Sequence, residues 1–411
     1  MEVISLLQYQ LKMEDAPILR LLDSIVTEGL EAGSSDIHLE PGTGFSRVRY
    51  RIDGVLQQAQ KLPMERHPAL VSCVKLMAGM DIAEKRKPQD GRAQVSHANK
   101  MIDLRVSSLP TVLGEKVVIR ILDPDANRLR LEGMGFTEKN LALYRSMCQA
   151  SYGLILVTGP TGSGKTSTLY ATLQELNRPE RNIITVEDPV EYSMEGVNQV
   201  AVNTRIGMDF ASGLRSILRQ DPDIIMIGEI RDRETAEISV QAALTGHLVL
   251  SSLHTNTAAG AVTRLLDMGI DPFLAASALR GIVAQRLVRR LCPSCKQAGN
   301  AGENVWERNY FRHLDLIREG KSTTDTNTIV YHATGCEACR QSGYRGRMAV
   351  HEVLPVNAAL KEKIIRHATE QELWEAAKTE FPGLQSLEED GMKKVKEGVT
   401  TVQELLRVLG V

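Results

Sequence analysis

The run Gly159-Pro160-Thr161-Gly162-Ser163-Gly164-Lys165-Thr166 has the composition and spacing of a loop that wraps a polyphosphate. Its glycines free backbone N–H groups to curl around phosphate oxygens. Lys165 brings a point charge to the β- and γ-phosphates, and Thr166 offers a hydroxyl to Mg²⁺. The helix expected to open at Lys165 adds its positive N-terminal end, and Ser167 in its first turn belongs to the same nucleotide-binding set. An apolar stretch, Gly153 to Thr158, precedes the loop as a strand should. ATP with Mg²⁺ is the expected ligand.

Hydrolysis at such a loop requires carboxylates near the γ-phosphate, to hold Mg²⁺ and to position water. Two apolar stretches end in them. Glu187, Asp188 and Glu191 follow Ile183 to Val186, and Glu229 follows Ile224 to Ile227 and Gly228. In open α/β sheets ligands sit beyond the carboxyl ends of the strands, so both groups are expected to face the loop. Taken singly, each acid reads as readily as a helix-capping or surface charge as a functional group; jointly, at consecutive strand ends beyond a phosphate loop, the functional reading dominates. His247 and His254 bracket a third stretch, Leu248 to Leu253. Periodicity leaves open whether they are hydrogen-bonded structural residues or contacts to the γ-phosphate.

Cys292-Pro293-Ser294-Cys295 and Cys336-Glu337-Ala338-Cys339 supply four thiolates in two close pairs, the donor set of a tetrahedral structural Zn²⁺. The pairs lie farther apart than usual, so a hairpin or loop inserted between them is expected. Cys73 and Cys148 stand alone and read as core residues. Six cysteines used in this way argue against a disulfide framework.

The elements that must carry these groups follow from the rest of the chain. At 411 residues two or three domains are expected. With 49 Lys and Arg against 51 Asp and Glu the net charge is −2, so there is no global basic field and nucleic acid is not an expected partner. No apolar run approaches the ~20 residues of a membrane-spanning helix. Met1-Glu2-Val3 opens no basic leader, so a cytoplasmic location is expected.

Ile18, Leu19, Leu22, Ile25 and Val26 are spaced for a helix ending near Gly29 to Gly33. Ser46 to Ile52 alternates strictly, placing Arg47, Arg49 and Arg51 on one face of a strand, and Asp53-Gly54 supplies a hairpin turn. Alternation alone reads that arginine face as solvated. Strands are further expected at Met101 to Ser107 and Lys116 to Leu122. After a linker come a helix at Glu138 to Cys148, another at Lys165 to Leu176, and apolar strands at Asn182 to Val186, Ile224 to Ile227 and His247 to Leu253. These predict a parallel sheet with helices on both faces. The boundaries expected are an N-terminal α/β domain at 1–123, a linker at 124–134, an ATPase core at 135–291, a four-cysteine subdomain at 292–345, and a helical region at 346–411 with helices at Ala358 to His367, Glu370 to Lys378 and Leu387 to Gly398.

Taken jointly, these motifs resemble the secretion ATPases of type II secretion systems and type IV pili, over nearly the whole chain. The resemblance rests on Ser34-Ser35-Asp36-Ile37-His38, Asp81-Ile82-Ala83-Glu84-Lys85-Arg86, Pro88-Gln89-Asp90-Gly91-Arg92 and Gly159 to Thr166. It continues through Thr185 to Pro189, Leu218 to Asp223, Gly228-Glu229-Ile230-Arg231-Asp232, Thr245-Gly246-His247 and His254 to Thr257. Ala261 to Leu265, Asp267 to Ile270, the cysteine pairs and Gly343-Tyr344-Arg345-Gly346-Arg347 are most similar to the type II secretion E-component.

The resemblance implies an α/β fold in which a smaller, PAS-like N-terminal lobe precedes a RecA-like P-loop NTPase core, with a tetracysteine zinc subdomain and a helical C-terminal region. It implies a cytoplasmic homohexamer, peripheral on the inner membrane through platform and anchoring proteins. Its Mg²⁺-dependent ATP hydrolysis would power pseudopilus assembly and protein export; pilus extension is the alternative. Typical members carry a further N-terminal docking domain, whereas this chain starts close to the helix before Ser34. Residue by residue, the resemblance makes Glu187, Asp188 and Glu191 an acidic box, Glu229 the acid of an atypical Walker B motif, and His247 with His254 a histidine box. Glu229 is the preferred water-activating residue and Glu187 a Mg²⁺-water ligand or alternative base. Arg49, Arg51, Arg105 and Arg120 become candidates to reach the γ-phosphate.

Overall fold

The computed structural model describes residues 16–122, 130–300 and 329–410. The chain divides into two compact units, Met1–Asn127 and Arg128–Val411.

In the first unit, α1 (Ala16–Glu31) and α2 (His67–Met77) cover one face of a six-stranded sheet. The strands are β1 (Ser34–Pro41), β2 (Phe45–Ile52), β3 (Val55–Pro63), β4 (Gln89–His97), β5 (Lys100–Thr111) and β6 (Gly114–Leu122), in the order β3-β2-β1-β6-β5-β4. The helical spacing of α1 buries Leu19, Leu22, Ile25 and Val26 against Ile37, Leu39, Val48 and Tyr50 of the sheet. The Asp53-Gly54 turn forms as its sequence predicts, with both residues at positive φ, 49° and 82°.

The opposite sheet face carries the arginines, and it is not simply solvated. β1 pairs between β2 and β6, and it brings buried Asp36 and Glu40 under them. Arg120 Nε donates to Asp36 Oδ1 at 3.0 Å, and Arg51 lies 3.6 Å from its other oxygen. Arg49 donates to Glu40 Oε1 at 2.8 Å, with Lys116 at 3.1 Å from the same atom. Burial pulls the Glu40 carboxyl up, but Arg49 and Lys116 outweigh it and hold it below its ordinary value.

The second unit is built on a seven-stranded sheet of β7 (Gly153–Thr158), β8 (Ile183–Glu187), β9 (Val197–Ala201), β10 (Ile224–Ile227), β11 (Leu248–Leu253), β12 (Leu279–Leu291) and β15 (Tyr344–Pro355). Its order is β15-β12-β7-β11-β10-β8-β9, parallel except where β15 runs against β12. This is the RecA-like α/β core. Every residue of β7, β10 and β11 is buried, because alternate side chains enter two different cores. Leu154, Leu156, Ile225 and Ile227 join one, and Ile155, Val157, Ile224 and Met226 join the other. That explains their unbroken apolar sequences.

The helices are α3 (Glu138–Cys148), α4 (Lys165–Leu176), α5 (Phe210–Ile217), α6 (Arg233–Leu244), α7 (Ala258–Asp267) and α8 (Pro272–Ala278), followed by α9 (Ala358–Ile365), α10 (Glu370–Glu380), α11 (Leu387–Lys396) and α12 (Val402–Leu409). The last four form the helical C-terminus. Residues 344 onward first return to the core as β15, across the boundary expected at 345/346. Polar residues inside that strand, such as His351 and Glu352, mask its apolar alternation. Of the expected linker, 124–129 lie outside the described residues, while Leu131–Met134 form a short 3-10 turn whose Leu131 is buried in the second unit. The hairpin expected between the cysteine pairs has its stem in β13 (Gln297–Asn300) and β14 (Ile329–His332), paired antiparallel; residues 301–328 lie outside the described ones.

Candidate functional site

The loop Gly159–Thr166 leaves the carboxyl end of β7 and enters α4, the strand–loop–helix context its sequence demands. Two of its glycines are required by contact as well as by backbone. Gly159 has φ 153°, and a Cβ there would lie 2.5 Å from the Gln285 carbonyl oxygen. Gly164 has φ 86°, and its Cβ would meet Gln285 Nε2 at 2.8 Å. Lys165 is buried, and its Nζ donates to the carbonyls of Gly159 at 2.8 Å and Pro160 at 3.1 Å. Burial lowers its pKa, the Glu229 carboxylate opposes this, and nearby Arg286 adds to it. Pro160, Thr161, Gly162 and Thr166 are exposed, so the rim of the loop is open; Ser163 is buried and Ser167 half-buried.

Glu229 stands past the end of β10. Its Oε1 accepts from Arg231 at 2.5 Å, and its Oε2 lies 3.2 Å from Nε2 of His254, past the end of the adjacent parallel strand β11. Burial raises its pKa, but Arg231 and His254 together outweigh this and leave it below the usual glutamate value. A Cβ on Gly228 would meet only ordinary contacts at 3.5 Å. The fold thus leaves room for a side chain at 228, and the acid nevertheless stands at 229.

The other acids are placed differently from one another. Glu187, at the end of β8, is buried, and both its oxygens are engaged. Tyr170 of α4 donates to Oε2, while Oε1 accepts from Thr185 at 2.5 Å and Gln199 at 3.0 Å. Tyr170 also accepts the Glu191 N–H at 3.2 Å. Asp188 is exposed, 3.9 Å from Arg231.

The two histidines separate. His247 is at the amino end of β11, beside Gly153, whose N–H donates to its carbonyl at 3.0 Å; its Nδ1 lies 3.0 Å from the Ala242 carbonyl. The phosphate loop leaves the other edge of the same sheet, about 20 Å along a six-residue strand at ~3.3 Å per residue. Only His254 joins the site within this chain. Arg49, Arg51, Arg105 and Arg120 belong to the first unit, and three of them pair with Asp36 and Glu40 as described.

The segment after β11 is tied down residue by residue. His254 meets Glu229, the Thr255 N–H donates to Thr158 Oγ1 at 2.9 Å, and Asn256 accepts from Arg286. Thr257 donates to Glu370 at 2.7 Å, and the Ala258 N–H donates to buried Glu352 at 2.7 Å. Gln285, Arg286 and Glu352 were not singled out from sequence. The available signal was polar residues inside the long apolar strands β12 and β15.

The four cysteines converge. Their Sγ atoms all lie within 4.8 Å of one another, with Cys292 to Cys336 at 3.9 Å, Cys295 to Cys339 at 3.8 Å and Cys336 to Cys339 at 3.7 Å. A tetrahedral ion ~2.3 Å from each sulfur separates the sulfurs by about 3.8 Å, so the cluster fits Zn²⁺. The N–H groups of Cys336 and Gly343 both donate to Cys339 Sγ at 3.2 Å. Burial raises that thiol's pKa, but these donors and the neighbouring thiols prevail and lower it to about 6, while Cys336 moves the other way, its own backbone bond outweighed by burial and the surrounding sulfurs. Cys73 and Cys148 are buried core residues.

A family model described as "Type II/IV secretion system protein" matches residues 12–407. The type II secretion system ATPase E of Vibrio cholerae is 50% identical over 395 residues, covering 96% of this chain and 76% of that protein. The type IV pilus assembly ATPase PilB of Myxococcus xanthus is 48% identical over 395 residues, covering 96% and 68%. Among solved structures, the pilus retraction motor PilT with bound ADP superimposes with a TM-score of 0.62 at 26% identity, covering 93% of this chain and 95% of that one.

Proposed function

The chain belongs to the type II/IV secretion system protein family, and from that premise we propose that it hydrolyses ATP to ADP and phosphate to power pseudopilus assembly and protein export by a type II secretion machine. The observation that carries the reading is the convergence of Glu229 and His254 on the strand ends beside a complete phosphate loop, with Lys165 electrostatically coupled to Glu229.

The loop and Lys165 hold the β- and γ-phosphates, and Lys165 offsets the charge that develops as the β–γ bond breaks. Glu229, kept ionised by Arg231 and His254, orients the attacking water and takes its proton. Bound Mg²⁺ would supply positive charge to offset that of the phosphates. Thr166 and the acidic group of Glu187, Asp188 and Glu191 are assigned to it and its water shell, with Asp188 as the exposed member. Arg49, Arg51, Arg105 and Arg120 are assigned to transition-state charge. Their common sheet face, with Arg49, Arg51 and Arg120 held over Asp36 and Glu40, supports that role. The four cysteines are assigned to one structural Zn²⁺ that staples β13 and β14 to the core.

The working unit is a homohexamer on the cytoplasmic side of the inner membrane, held there by platform and anchoring proteins. The names of the relatives support a place in a secretion or pilus machine. Among the described residues no helix is long and apolar enough to cross a membrane. Pilus extension is the second reading, favoured by the 48% identity to a pilus assembly ATPase. Phosphate release by the purified chain with Mg–ATP tests the chemistry, and a negligible wild-type rate in the assembled state rejects it. Deletion of the coding region then separates the machines: lost secretion with normal pili supports the first reading, and the converse supports the second.

A further inference from the structure

Gln285 and Arg286 lie side by side in the middle of β12, a strand otherwise dominated by buried aliphatic side chains, and are themselves only 1% and 7% exposed. Consecutive strand residues point to opposite sheet faces, and each of these has taken hold of a different part of the site.

Gln285 uses both ends of its amide. Nε2 donates to the Ser163 carbonyl at 2.8 Å, and Oε1 accepts from the Thr168 hydroxyl at 2.7 Å. A carbonyl only accepts, so the amide has a single workable orientation. The clamp therefore joins the phosphate loop at Ser163 to the first turns of α4 at Thr168. It has no slack, because the backbones of Gly159 and Gly164 press on Gln285 so closely that a Cβ at either would collide with it.

Arg286 donates to the carbonyl of Asn256 at 2.9 Å, to its side-chain oxygen at 3.1 Å, and to the Gln285 carbonyl at 3.0 Å. Asn256 is two residues past His254. Burial lowers the Arg286 pKa, and the Glu352 carboxylate, which accepts the first N–H of α7, opposes that loss of charge.

We propose that Gln285 and Arg286 are positioning residues for ATP hydrolysis: Gln285 shapes the phosphate loop, and Arg286 anchors the segment that sets His254 against Glu229. The proposal rests on the ATPase reading. It separates the two side chains by their kinetic effect. The loop meets phosphate in ground and transition states alike, so loss of the Gln285 clamp weakens ADP and ATP together. His254 and Glu229 act on water, so loss of the Arg286 anchor slows turnover at nearly unchanged nucleotide affinity.

The test uses the full chain with Gln285→Met and Arg286→Met, measuring kcat and KM for Mg–ATP, Kd for a fluorescent ADP, and the thermal midpoint. For Gln285→Met, KM and the ADP Kd are expected to rise about tenfold with kcat within about threefold. For Arg286→Met, kcat is expected to fall about tenfold with the ADP Kd within about twofold. A purely structural role lowers the midpoint and scales both activities with the folded fraction. Parallel changes in the two variants, or unchanged constants, overturn the proposal. Should either Met variant not fold, Gln285→Glu, which turns an acceptor toward the Ser163 carbonyl, and Arg286→Lys, which keeps one bond to Asn256, carry the same comparison with smaller effects. A wild-type chain without turnover defeats the ATPase reading, while the ADP Kd of the Gln285 variants still decides the clamp.

Discussion

Nε2 of His254 lies 3.2 Å from Oε2 of Glu229, joining the ends of two adjacent parallel strands beside the phosphate loop. With Arg231 on the other oxygen, the carboxylate is held at both ends and its pKa stays below the ordinary glutamate value. Glu229→Gln keeps the shape and removes the base. A fall in kcat of about 10²- to 10⁴-fold is expected, with ADP affinity nearly unchanged. Single-turnover phosphate release and ADP titration measure the two separately, and a near-wild-type kcat would remove Glu229 from its role.

Lys165→Ala is expected to abolish turnover while leaving the fold intact. Its Nζ bonds are to two carbonyls of the loop alone, so its loss affects the phosphate site and little else. Far-UV circular dichroism with a phosphate-release assay checks this, and residual turnover above about one per cent of wild type would contradict the assigned charge role.

The sulfur spacing of Cys292, Cys295, Cys336 and Cys339 predicts one equivalent of zinc in purified, unchelated protein. Elemental analysis giving less than about half an equivalent would count against four-thiolate ligation. Chelation, or Cys292→Ser, is expected to lower the thermal midpoint by several degrees, while Val330, buried in the core, and the Lys296 bond to the Gly398 carbonyl keep the hairpin attached.

His351 on β15 is fully buried, stacked on Phe136 with ring centroids 3.7 Å apart. Burial drives its pKa well below the ordinary value, and the charge of Lys394 adds to this. The folded pKa is thus depressed, so its contribution is fully present above the unfolded value of about 6.5. Below that pH the unfolded chain takes up a proton the folded chain excludes, and stability declines by up to ~1.4 kcal/mol per pH unit. Urea midpoints between about pH 7 and pH 5.5 should fall less steeply in His351→Leu than in wild type. Equal slopes would show that His351 does not carry the effect.

Much of the core was legible because its signals are local. The strand–loop–helix of Gly153 to Leu176, the apolar β10 and β11, the Asp53-Gly54 turn and the paired cysteines each declare themselves within a few residues, since backbone freedom, alternation and ligand spacing act at that range. β12 and β15 were not legible. Their polar residues face neighbouring loops and helices rather than water, so simple alternation fails there.

Sequence alone determined that a phosphate loop, acids, histidines and four thiols exist in one chain, and which of them follow strands. Tertiary structure decided which of them meet. His247 and His254 look equivalent as flanks of one strand, yet the ends of a strand lie on opposite edges of its sheet, and only His254 reaches Glu229. Glu187 and Glu229 look equivalent as strand-terminal acids, yet Tyr170, Thr185 and Gln199 enclose the first while the second is shared between Arg231 and His254. Gln285 carried no motif at all; its importance arises only because pairing of β12 beside β7 lays its amide against the loop. Contacts of that kind depend on sheet order, which is set by packing between segments distant in the chain, and no local pattern encodes it.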